Sequence, residues 1–123
     1  MDDTLQNSAA LQNLAVEFGK LLNDHRGADV VVMDMRPLNF WTDFFVIATV
    51  SSDTHLSGLE RHIKDFSGEK GLEILRRSRR PEQNEEWSLL DLGGIIIHLM
   101  TERARSFFEL ERLWGAAPVI YRS

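Results

Sequence analysis

Asp91 and His98 sit seven residues apart in "NEEWSLLDLGGIIIHLM", Asn84 to Met100, and both are side chains that proton-transfer chemistry uses. A Ser-His-Asp relay would need a serine on a sharp exposed turn beside an oxyanion hole, and no "GxSxG" occurs. The four histidines, His25, His55, His62 and His98, form no "HExxH" and no pair at metal-ligand spacing, so no metal site is expected. His55 and His62, seven apart on one helix face, read as solvent-facing. No P-loop or "GxGxxG" is present to cradle phosphates. Two-metal phosphoryl transfer would want an "Asp-x-Asp" pair on one strand face. Here the segment is Asp34-Met35-Arg36, so an arginine stands where the second carboxylate belongs, and no Gly-Ser loop precedes it. Asp34, Asp43 and Asp91 are not pre-paired by any single strand. Catalysis is therefore not expected, and neither is a cofactor.

The elements that must position these residues follow from apolar spacing. Leu11, Leu14, Ala15, Phe18, Leu21 and Leu22 recur at helical intervals, predicting a helix from about Asn7 to Asp24 that Gly27 closes. "ADVVVMDM" gives a strand over 29–35, "RPLNFWT" a loop, and "DFFVIATV" a second strand. Ser51 to Asp53 offer caps for a helix carrying Leu56, Leu59, Ile63 and Phe66, ending near Gly71. "LEILRR" predicts a short edge strand. The quoted hairpin adds two strands, and "TERARSFFELERLWG" a helix capped by Thr101, striped by Phe107, Leu110 and Trp114, and stopped by Gly115. The order α-β-β-α-β-β-β-α predicts an α/β (α+β mixed) single domain: a mixed five-stranded sheet flanked by helices, its core over about 11–114, with residues 115–123 a short tail.

Within the hairpin, Gly93-Gly94 as a two-residue turn fixes the register: Leu92 faces Ile95, Asp91 faces Ile96, Leu90 faces Ile97, Leu89 faces His98, and Trp87 faces Met100. One face then holds Leu90, Leu92, Ile95, Ile97 and Leu99, with Ser88 at its end, and is core. The other holds Trp87, Leu89, Asp91, Ile96, His98 and Met100. Two readings of it stand open: a surface buried under a helix, its polar groups satisfied, or a partly open docking face with Trp87 as anchor.

Composition narrows the partner. Net charge is −5 with 43% hydrophobic and 27% charged residues, a globular chain without the cationic surplus needed to grip nucleic-acid phosphates. A basic protein partner suits it better. The run Arg76 to Arg80 reads as a solvated loop, with contact to RNA as the sharper alternative. No apolar run nears the roughly 20 residues of a membrane span. The acidic N-terminus and the absence of cysteine fit a cytoplasmic setting.

The blocks "ADVVVMDM", "TDFFVIATVSS", "EEWSLLDLGGIIIHLM" and "ARSFFELERLWG", spanning about Leu11 to Trp114, resemble the RsfS/Iojap family of ribosomal silencing factors. The most specific parts are Trp87-x-Leu89-Leu90-Asp91, the glycine turn, the strand reaching His98, and the run from Arg105 to Trp114. The resemblance implies a nucleotidyltransferase-like fold without its catalytic residues. It also implies a non-enzymatic role: binding the large ribosomal subunit through its protein fourteen on the intersubunit face, obstructing subunit joining and repressing translation. The contact residues it implies are Trp87, Leu89, Asp91, His98, Asp43, Phe44 and Arg105, with a minor ribosomal RNA contact. The open sheet surface would let the free protein form a homodimer. The alternative is a degenerate nucleotidyltransferase-like protein that still binds nucleotide. Departures from the family pattern are Leu92 and Gly94 after the hairpin aspartate, Phe108 for a tyrosine, and "RRSRRPEQN" for an acidic-glycine element.

Overall fold

In the computed structural model, which describes residues 3–38, 42–79, 87–108, 112 and 115–123, ten elements form one layered unit. They run α1 (Asp3–Asp24), β1 (Ala28–Asp34), a 3-10 turn (Arg36–Leu38), β2 (Phe44–Val50), α2 (Asp53–Glu69), β3 (Arg76–Arg79), β4 (Trp87–Asp91), β5 (Ile95–Thr101), α3 (Glu102–Phe108) and β6 (Val119–Arg122). The sheet order is β3-β4-β5-β2-β1-β6. Among the described residues only β2 and β5 run parallel; every other pairing is antiparallel.

The sheet separates two cores. On one face α1 and α2 bring Ala15, Phe18, Leu22, Leu56, Leu59 and Ile63 onto Val30, Val32, Phe44, Val46, Leu90, Ile95, Ile97 and Leu99. On the other, Val31, Met33, Met35, Phe45, Ile47, Ile96 and Met100 meet Ala104 of α3 and Ala117. β2 is buried at every position, as a central strand covered on both faces must be. The helix ends obey capping rules. Ser52 accepts the His55 N–H at 3.0 Å at the start of α2, and Thr101 accepts that of Ala104 at 3.1 Å at the start of α3. α2 closes through Gly71, at φ 73, with the Leu72 N–H reaching the Ser67 carbonyl at 2.8 Å. α1 closes in the same pattern, Gly27 N–H to Leu22 O at 2.7 Å. Its left-handed residue, however, is Arg26 (φ 70) and not the glycine.

Three sequence expectations need correcting. The sheet has six strands, not five, because residues 119–122, expected as tail, pair with β1. The third strand starts at Arg76 rather than Leu72: Leu72 and Ile74 instead pack as loop residues on the first core. The basic run, read as a solvated loop, supplies that strand from Arg76 to Arg79. Arg80, the stripe of Phe107, Leu110 and Trp114, and the rest of the helix expected up to Gly115 fall outside the described residues and side chains.

One polar cluster ties α2 to the sheet edge. Ser88, fully buried on the otherwise apolar core face, donates to Glu60 Oε2, while Arg77 of β3 donates to Glu60 Oε1 at 3.0 Å. Removing the hydroxyl leaves a nearly buried carboxylate short of a donor. Ser88→Ala is therefore expected to cost about 1–3 kcal/mol of stability, read from urea unfolding midpoints; an unchanged midpoint would show that Glu60 is satisfied without the hydroxyl.

Candidate functional site

The hairpin holds the register its turn dictates. Trp87 pairs with Met100, Leu89 with His98 and Asp91 with Ile96. Only Gly93 takes positive φ (97), which matches the turn family needing a left-handed first residue. Asp91 assists that turn, its Oδ1 accepting the Gly93 N–H at 2.8 Å. Trp87, Leu89 and Asp91 therefore share the second face, as expected. All three are half-buried, because α3 and Ala117 cover that face further along, over Ile96, Met100 and β2. Among the described residues the face is thus a core at its centre, with a half-buried strip along β4.

β3 extends the strip. Arg76 pairs with Asp91 and Ser78 with Leu89, which puts both exposed side chains on the same face as their partners. Sequence reasoning missed these two. The available signal was the alternation Arg76-Arg77-Ser78-Arg79, in which every second residue must face the same way.

His98 lies beneath the strip. It is 4% exposed, its Nδ1 accepts the Trp87 Nε1–H at 3.1 Å, and its ring meets Phe45 edge-on at 4.6 Å. Accepting at Nδ1 leaves the proton of the neutral ring on Nε2, which has no hydrogen-bond partner among the described residues. Burial pushes its pKa down to about 3. His98 is thus a neutral strut that fixes the Trp87 indole rather than a contact group.

The other expected contact residues scatter. Phe44 is a correction: it is 0% exposed on the opposite face, under the helices, with the Arg36 guanidinium 4.9 Å above its ring. A strand's alternation sends Phe45, not Phe44, to the His98 side. Asp43 is half-buried at the start of β2, its N–H bonded to Gly94 O at 3.1 Å. Arg105 lies beyond the far end of that strand, donating to Thr49 Oγ1 at 2.9 Å.

The Asp34 carboxylate is closed off by its own neighbour, Arg36. Arg36 Nε and Nη2 donate to the two Asp34 oxygens at 2.9 and 2.7 Å, and its backbone N–H adds a third bond at 3.0 Å. These hydrogen bonds hold the Asp34 carboxyl below the usual carboxylate range, against an opposing desolvation cost. Asp91 stands three strands away, roughly 14 Å at sheet spacing, too far to share a metal pair with it. Among the described residues no group of three His, Cys, Asp or Glu could hold a metal ion.

A family model described as "ribosomal silencing factor during starvation" matches residues 8–123. The ribosomal silencing factor RsfS of Bacillus subtilis is 33% identical over 97 residues, covering 79% of this chain and 80% of that protein. That of Treponema pallidum is 40% identical over 93 residues, covering 76% and 82%. A crystal structure of a Chromobacterium violaceum protein superposes with a TM-score of 0.72 at 26% identity, over 87% of this chain and 85% of its own. Sequence match and fold agree over nearly the whole length, and the chain belongs to the ribosomal silencing factor family, RsfS.

Proposed function

We propose that this protein is a non-catalytic repressor of translation that docks on protein fourteen of the large ribosomal subunit and sterically blocks joining of the small subunit. The observation that carries the reading is the half-buried strip of Trp87, Leu89 and Asp91, bordered by Arg76, on a protein of this family. An aromatic anchor beside an aliphatic one supplies affinity, and Asp91 complements a basic partner. No bond need be altered; the docked domain only has to occupy volume the other subunit requires. The neutralised Asp34 supports the absence of catalysis. A minor contact of the basic edge with ribosomal RNA, pairing of free copies through the same strip, and a cytoplasmic setting belong to the same proposal. Among the described residues no helix is long and apolar enough to cross a membrane.

Sedimentation tests it. The protein is expected to travel with free large subunits, to be depleted from joined ribosomes, and to lower the joined fraction when added to separated subunits. Unimpeded joining at saturating protein would overturn the steric mechanism, and failure to travel with large subunits would overturn the docking.

A further inference from the structure

A second feature lies at the opposite end of the sheet from Asp34. β2 and β5 are adjacent and parallel, so their carboxyl ends, Val50 and Thr101, lie side by side. α2 leaves the first toward one core and α3 leaves the second toward the other. Where crossovers from adjacent parallel strands depart to opposite faces, a crevice opens between them, and open α/β sheets bind ligands there. This chain has that crevice, a recess of about 530 Å³. The volume falls in the range of small-molecule sites.

Its lining is cationic in a protein of net charge −5. Arg26 and Arg103 border it, against one carboxylate from Glu102, and the hydroxyl residues Thr49, Ser51 and Thr101 supply further hydrogen-bonding groups. Arg105 stands directly behind the wall, donating to Thr49 Oγ1 at 2.9 Å and to Ala28 O at 3.4 Å. The backbone here is also unusual. Arg26 (φ 70) and Asp29 (φ 47) are the two positive-φ residues other than glycine among the described residues, and they bracket Ala28 of the lining. Such conformations are costly for residues with a Cβ, and they gather where a site needs them. At Arg26 a glycine would close the helix with less strain.

We propose that this recess binds the di- or triphosphate group of a small nucleotide. Guanidinium forks and hydroxyls match phosphoryl oxygens in charge and geometry. The rim carboxylate of Glu102 and the net negative charge of the chain select a compact polyphosphate over the backbone of an RNA strand. The site is independent of ribosome docking, so the outcome of either experiment leaves the other intact.

Calorimetric titration of the intact chain at low salt with ATP, GTP, inorganic pyrophosphate and a single-stranded RNA decides it. Nucleotide binding is expected, competed by pyrophosphate and weakened by added salt. Arg103→Ala and Arg26→Gly should each weaken it about tenfold, the loss of one charge-assisted contact. Arg61→Ala, an exposed arginine on α2 away from the recess, should leave it unchanged. Arg26→Gly guards against a folding artefact, because that substitution relieves the left-handed strain and should hold or raise the melting temperature while affinity falls. Three results would each overturn the proposal: no nucleotide or pyrophosphate binding, binding of RNA alone, or equal losses in Arg61→Ala and the recess variants.

Discussion

Trp87→Ala is expected to weaken binding to isolated large ribosomal subunits by at least about thirtyfold, the penalty typical of a central aromatic anchor. The indole is half-buried, so part of it already rests on the second core and part remains for a partner. It is also held in place: its N–H is fixed by His98, whose own ring is wedged against Phe45. An anchor immobilised before docking loses little side-chain freedom on docking, which favours affinity. The substitution carries a stability cost as well, because His98 Nδ1 loses its donor, and about 1–3 kcal/mol is expected. The domain should still unfold cooperatively, as followed by circular dichroism. Trp87→Phe separates the two roles, keeping apolar contact while removing the N–H, and should retain most of the affinity. If Trp87→Ala has no folded state, the residue is core and the strip is not the docking site. If it folds and sediments with large subunits unchanged, the anchor lies elsewhere.

The second large effect is on stability against pH. Burial pushes the folded pKa of His98 to about 3, whereas an unfolded histidine titrates near 6.5. Between those values the unfolded chain binds the additional proton. Stability from this group is therefore complete above pH 6.5 and declines as pH falls. The loss from pH 7 to pH 5 is expected to be about 2 kcal/mol, growing to about 4 by pH 3. The measurement is taken as a difference between two proteins, which isolates the contribution of this one ring. Urea midpoints of the wild type and His98→Gln, which keeps an acceptor for Trp87, should diverge by about 2 kcal/mol between pH 7 and 5, the wild type falling faster. Parallel curves would mean that the imidazole takes a proton without leaving its site.

Much of the hairpin was legible because local rules suffice there. Two glycines set the turn, the turn sets the register, and alternation sets the faces from Trp87 to Met100. The caps of α2 and α3 were legible for the same reason. Phe44 was not. β2 is buried on both sides, so its sequence lacks the alternation that would reveal which face each phenylalanine takes. β6 was hidden because "VIYR" is short and half-exposed, and only its pairing with β1 makes it a strand. The onset of β3 was misplaced since Leu72 and Ile74 bury their side chains without joining the ladder. The convergence of Arg26 with Arg103 depends on two strands 45 or more residues apart in sequence lying side by side, which no local pattern records.

The arginines of β3 carry one more implication. An outermost strand offers unused amide and carbonyl groups to any chain that can align with it, and many proteins are at risk of growing into fibrils by that route. Here three of the four residues on that border are arginine. A second copy approaching border to border would bring like charges against like along the full length of contact. Growth by strand addition is thereby discouraged at this border, and on that side a partner is steered to come from above the sheet rather than alongside.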